Sequence, residues 1–446
     1  MSAPGDGRAP SSSQASAARA RDWLMVALFM LAYILSGVDR QMLAFVALDI
    51  KRDLHISDFE IGLLQGVAFA LFYAIAGLPL GWAIDSGPRI RIIGLAMTVW
   101  SGMTVLSGFA RGFPSLAFGR VGVGVGEAAL TPGVYSILGD IFPKRQIGTA
   151  SLLYSLGAPL SLAVAALASA FVHGAATGDV MELPLIGPVA TWRMAFVIAG
   201  APGLLMAGFI FALREPRRGP SHADDRQGLR LLPYLRTHWR VEGIYAVGAT
   251  ALVCVHYSIA AWSPALLSQA LHWTPKAVAV TLGGIGLFGG ATGCVLGGLA
   301  ANWGLRRSRP AAVVGILGVI SAGMATVGLA LPLIDAGWQA IAALAISGVL
   351  TPMALMLIPT VLQVFTPSGL RGRMTAFFMF ANIGFGAGVG PALVGWFSSF
   401  IFGANHLGIS IGVVAMGASI LALISFMYLS VHVRRERSMN ISPTPA

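Results

Sequence analysis

Apolar runs of roughly twenty residues, separated by short polar or basic breaks, repeat along the whole chain. A run of that length crosses a hydrocarbon core of about 30 Å as a single helix. Twelve runs fall at 22–45, 58–84, 91–110, 113–138, 148–173, 192–213, 241–270, 276–302, 310–331, 338–364, 372–401 and 407–431. The pattern predicts an all-α polytopic membrane protein with twelve transmembrane helices. The longest polar connection, "REPRRGPSHADDRQGLRLLPYLRTHWR" from Arg214 to Arg240, carries seven Arg and divides the runs six and six. The expected organisation is a cytoplasmic tail over 1–21, an N-terminal six-helix half over 22–213, a cytoplasmic linker over 214–240, a C-terminal half over 241–432 and a second tail over 433–446. Part of the linker, "RLLPYLRTHWR", has the composition of an amphipathic surface helix. The run following the first tail is longer than the apolar core of a signal peptide, which argues against cleavage.

Composition agrees with the runs. Of 446 residues, 56% are hydrophobic and 11% charged, against about 25% charged in soluble domains. The 56 glycines suit close packing of helices in lipid. The net charge of +11 would suit nucleic acid, but its placement follows topology instead. With the N-terminus inside, 22 of the 29 Lys and Arg lie on the inner side, as the positive-inside rule requires. Both termini are therefore expected in the cytoplasm, with the chain a multi-pass protein of the inner (plasma) membrane. No face gathers basic residues with aromatics, so nucleic acid is not an expected partner. Cys254 and Cys294 sit in apolar runs without metal-ligand spacing. No metal and no cofactor is expected.

Ionisable residues inside a membrane are costly and point to function. Asp39, Arg40, Arg120 and Glu127 lie within the runs, all in the first half. Asp140 falls at the end of the fourth run, as a cap or loop anchor. From Gly243 to Val433 the one acid is Asp335, in an outer loop. Neighbours such as Asp39 and Arg40 point in different directions on a helix. Arg120 and Glu127, seven apart, share a face. At about 1.5 Å per residue, Asp39 lies roughly 25 Å from the inner surface and Arg120 roughly 10 Å from the outer one. The two depths match, which predicts an Asp39–Arg120 pair. Glu127 lies deeper, facing a cavity as a separate acid, with Arg40 able to reach towards it. That makes Glu127 the expected proton switch, with Asp39 following. A static clamp of four buried charges is the competing reading.

Weaker candidates line the expected cavity. His256 and Tyr257 lie in the seventh run, and His titrates near neutral pH; a packing His fits equally. Asn382 in the eleventh run and Tyr73 in the second complete the set, the latter beside Phe69 and Phe72. Gly157-Ala158-Pro159 and Gly390-Pro391 bend the fifth and eleventh runs at similar places in the two halves. "RVGVGVGEA" lacks the Lys-Ser/Thr of a phosphate loop. No nucleophile–base–orienter set is visible, so an enzyme is not expected.

The halves echo each other in "GWAIDSGPRIR", Gly81 to Arg91, and "GLAANWGLRR", Gly298 to Arg307, as internal repeats do in transporters. With "RVGVGVGEA" and "REPRRG", these resemble the major facilitator superfamily. More narrowly, "VDRQMLAFVALDIKRDLHISDFEIGLLQGVAFALFYAIAGLPLGWAID", "GRVGVGVGEAALTPGVYSILGDIFPKRQIGTA", "WRMAFVIAGAPG" and "WSPALL" are similar to spinster-type lipid transporters. The resemblance implies two halves related by pseudo-two-fold symmetry, rocking about a central cavity. It implies proton-coupled alternating access for a lysophospholipid or sphingoid-type substrate, with coupling and gating at Asp39, Arg40, Arg120 and Glu127. Asp85 and Arg89 are the matching loop charges. The sequence departs at Ser86, where a base is usual, at Asn302, the counterpart of Asp85, and at "GAGVGP", which lacks an acid. The expected protein is a monomer whose partners are protons, the bilayer and a lipid-like small molecule. Proton-coupled export of drugs or organic anions is the alternative.

Overall fold

In the computed structural model, the described residues are 20–441 apart from 144, 177, 179, 184–186, 219–230, 307–309, 368 and 369. Twelve helices are long and apolar enough to cross a membrane. They are Ala20–Phe45, Asp58–Ser86, Arg89–Ser107, Phe113–Ile141, Ile147–Ala175, Thr191–Ala212, Pro233–Ala270, Pro275–Gly304, Ala311–Leu333, Gly337–Gln363, Arg373–Phe402 and Ala404–His432. They are called spans one to twelve here. The largest departure from expectation is at span seven. The amphipathic segment runs into it as one helix, Leu231–Ala270, bent at His238. Of the expected tails, 1–19 and 442–446 lie outside the described residues, as does 219–230 of the linker. Residues 433–441 prolong the last helix.

Span two opens on a capping box. Glu60 N–H donates to Ser57 Oγ at 3.2 Å and Ser57 N–H to Glu60 Oε2 at 2.8 Å, which satisfies two of the free amides of a helix start. Prolines explain two of the interior breaks, because a proline leaves the carbonyl four residues back without its donor. Pro132 does this to Ala128, and span four divides there into Phe113–Glu127 and Leu130–Ile141. Pro159 does it to Ser155, and span five divides into Ile147–Ser155 and Gly157–Ala175. Pro391 follows a π-helical stretch, Asn382–Ala387. Span eight holds another, Ile285–Gly289. A feature the apolar runs did not announce is a hairpin between spans five and six. Its strands, β1 Val180–Leu183 and β2 Gly187–Ala190, pair antiparallel.

The two halves meet tightly at the end opposite the N-terminus. A Cβ built on Gly66 of span two would stand 2.1 Å from the carbonyl oxygen of Gly388 in span eleven. At Gly62 it would stand 2.5 Å from that of Pro391, and at Gly395 2.3 Å from that of Asp58. These are backbone-to-backbone contacts that only glycine permits. Asp58, itself buried, accepts from Ser398 Oγ at 2.8 Å and pairs with Lys51 at 2.6 Å.

Candidate functional site

Between the halves lies a cavity of about 480 Å³, in the range of small-molecule sites. Spans one, two, four and five line it from the first half, and spans seven, eight, ten and eleven from the second. Most of the wall is apolar, with Phe45, Leu162, Ile259, Leu282 and Leu355 typical of it. Arg40 and Arg120 also line it, and no carboxylate does among the described residues.

The acids stand behind the bases. Asp39 is 1% exposed and Arg120 1%, and Arg120 Nη1 lies 3.2 Å from Asp39 Oδ1. The Arg120 guanidinium also donates to the Leu64 carbonyl at 3.4 Å. Thr104 on span three contacts Asp39 Oδ2 through its hydroxyl, which is 2.9 Å from the Trp100 carbonyl as well. A hydroxyl has one hydrogen and two acceptor positions. It therefore donates to Asp39 when the carboxylate is charged. When Asp39 carries a proton, the same hydroxyl accepts it and donates to Trp100. Thr104 serves both protonation states without moving.

Glu127 is also shut away, 2% exposed. It ends the first part of span four, at the break that Pro132 makes, and Arg40 Nε lies 3.2 Å from its Oε2. Arg40 also donates to Ser36 Oγ one turn back, at 3.1 Å. The expectation of a separate Glu127 facing the cavity is thus corrected. Adjacent residues on span one diverge, so Asp39 and Arg40 take different partners along span four, and each guanidinium covers its acid. Phe69 of span two binds the pairs into one cluster, with the Arg40 and Arg120 guanidinium carbons 5.6 and 5.4 Å from its ring centre. Both distances suit a cation–π contact.

Of the other sequence candidates, His256 and Tyr257 line the cavity, whereas Tyr73 and Asn382 are not among its lining residues. Asn382 Oδ1 instead accepts from Thr250 at 3.0 Å, between spans eleven and seven. Arg89 is buried and pairs with Asp140 at 2.5 Å and Glu215 at 2.9 Å. This joins span three, span four and the segment after span six. Asp85 is exposed, and its backbone carbonyl receives Arg218. The Asp85 carboxylate has no ion partner among the described residues. Asn302 accepts from Arg306 at 3.1 Å. The cavity also uses residues that carried no signal in the sequence. Tyr33, Gln41 and Gln65 line it, and Tyr33 stacks on Tyr154 with ring centres 4.8 Å apart. Single polar residues in an apolar run become informative only once the rotation of each helix is known.

Twelve spans around a central, charge-lined cavity define a membrane transporter rather than an enzyme. Residues 29–391 match the Major Facilitator Superfamily, and the chain belongs to that family. Among solved structures, it is similar to a bacterial homologue of the human lysosomal transporter Spinster in an inward-facing, unoccupied conformation. The TM-score is 0.80 at 24% identity, over 96% of this chain and 100% of that one. An MFS-type efflux pump of Mycolicibacterium smegmatis is 27% identical over 92% of this chain and 90% of its own. A probable L-galactonate transporter of Escherichia coli is 28% identical over 62% and 60%, and protein spinster of Drosophila melanogaster 22% identical over 66% and 48%.

Proposed function

We propose that the chain is a proton-coupled secondary active transporter of amphipathic, lipid-like anions of the lysophospholipid or sphingoid type, working by alternating access. The observation that carries this reading is the cavity lining, which among the described residues has two guanidiniums and no carboxylate in a mostly apolar wall. An acyl chain suits the wall, and an anionic head suits Arg40 and Arg120. Protonation of Glu127 or Asp39 would leave its arginine uncompensated and free to hold the head. Backbone-tight closure at one end, with breaks in spans four and five and a π-helical stretch in span eleven, supports a cavity reached from the other end. The arginine bias further supports an inner-membrane protein with both termini cytoplasmic, acting as a monomer.

A second reading, export or uptake of small organic anions, is favoured by the galactonate transporter among the relatives. Proteoliposomes separate the two. The lipid reading expects saturable movement of a labelled lysophospholipid that accelerates with an imposed pH gradient, and Glu127→Gln is expected to abolish the acceleration. Transport of galactonate without lysophospholipid would move the assignment to the second reading. Lysophospholipid movement indifferent to the gradient in wild type would remove proton coupling.

A further inference from the structure

The second half offers the cavity a different kind of polar group. His256 lines it from span seven, with Nδ1 3.1 Å from Thr351 Oγ1 on span ten. Thr351 Oγ1 is in turn 2.9 Å from the Ser347 carbonyl oxygen, one turn earlier on its own helix. A carbonyl only accepts, and a hydroxyl has one hydrogen. Thr351 therefore donates to Ser347 and accepts from His256, which places the imidazole hydrogen on Nδ1. In that tautomer Nε2 is an acceptor. No protein group donates to Nε2 among the described residues, and the ring stands edge-on to Tyr257 at 5.1 Å. Among the described residues, no carboxylate lines the cavity to hold a second proton on the ring.

A hydroxyl on the same span points the same way. Ser263 gives its hydrogen to the Ile259 carbonyl, so it too presents lone pairs, though weaker ones than an imidazole nitrogen. Arg40 and Arg120 across the cavity can only donate. The first half supplies cationic donors, and His256 and Ser263 of the second half supply acceptors.

We propose that His256 Nε2, held in its tautomer by Thr351 and Ser347, forms a second subsite that accepts a hydrogen from a hydroxyl or ammonium group of the substrate. The substrate is then an anion that also carries a hydrogen-bond donor. The anionic part rests on the function proposed above; the donor part rests on His256 and applies to lipid and sugar-acid cargo alike.

The test is equilibrium binding to the purified full chain in detergent, wild type against His256→Phe and Thr351→Val. One set of probes is a 1-acyl-glycerol 3-phosphate together with its 2-deoxy and 2-amino analogues. A second set is galactonate and 2-deoxygalactonate. Wild type is expected to bind the hydroxyl or amino compound about tenfold more tightly than its deoxy analogue. His256→Phe is expected to erase that preference while leaving the deoxy affinity unchanged. Thr351→Val, which frees the tautomer, is expected to weaken the preference too, and its thermal stability reports folding separately. The ring-nitrogen shifts of His256 in ligand-free protein are expected to read the Nδ1–H form. Equal losses for all probes in His256→Phe, or no preference in wild type, would overturn the subsite. Binding of sugar acids alone would overturn the lipid reading and leave His256 to be judged on the galactonate pair. Binding of neither set would overturn both. Preference for the amino over the hydroxyl compound would identify the donor as ammonium.

Discussion

At Asp39 a carboxylate with almost no exposure depends on a single guanidinium and a single hydroxyl. Removing one member of a buried ion pair leaves the other charge uncompensated, at a cost of about 3–5 kcal/mol. Asp39→Asn is therefore expected to lower the unfolding temperature in detergent markedly, and Asp39→Asn/Arg120→Gln to restore part of the loss. Additive losses in this double-mutant cycle would mean that the pair is not coupled. Thr104→Val removes one hydrogen bond and is expected to cost about 1 kcal/mol. It should also change the pH dependence of transport, because the hydroxyl serves both states of Asp39; a stability loss with an unchanged pH profile would reduce Thr104 to packing. The sequence made the Asp39–Arg120 pair legible through depth along two antiparallel helices. Thr104 was not legible, since a threonine in an apolar run looks like any small residue. The cover that Arg40 gives Glu127 was visible as reach, but not as burial, because burial depends on how spans one, two and four are rotated about their axes.

At the scale of elements, spans two and eleven touch through glycines with no room for a side chain. Gly66→Ala sets a Cβ 2.1 Å from the Gly388 carbonyl, a separation that forces the helices apart. On the same span Gly77 has nothing within 4 Å of a Cβ position, so Gly77→Ala is a matched control. Paired spin labels at Phe59 and Phe400, whose rings are 5.8 Å apart, are expected to show a longer distance in Gly66→Ala and an unchanged one in Gly77→Ala. An unchanged distance in both would mean that the contact yields without separating the spans. The spans themselves were legible because twenty apolar residues admit few alternatives in lipid. The break at Pro159 is legible in Gly157-Ala158-Pro159, whereas the one that Pro132 makes appears only in the structure. The π-helical stretches and the hairpin were not legible. Four-residue strands such as Val180–Leu183 and Gly187–Ala190 are too short for alternation to stand out, and π turns differ from α turns by register and not by composition.

For the whole molecule, the proposed proton coupling gives the charge constellation a definite sense. With both acids ionised, Asp39, Arg40, Arg120 and Glu127 sum to zero. Each proton taken up adds one positive charge beside a cavity that Arg40 and Arg120 line and the two acids do not. Protonation therefore strengthens the attraction for an anion, and by linkage a bound anion strengthens proton binding by the same factor. Anion affinity in wild type is expected to rise as pH falls, and Glu127→Gln is expected to bind tightly with a flatter dependence. A sulfonate amphiphile is the suitable probe, since a phosphate head changes its own charge near pH 6. On that reading the two ligands favour each other and are expected to travel in the same direction across the membrane, so an acidic compartment should drive the anion out of itself. Affinity that falls as pH falls, or anion accumulating in the acidic compartment, would reverse the coupling and mean that the acids act on the substrate directly rather than through their arginines.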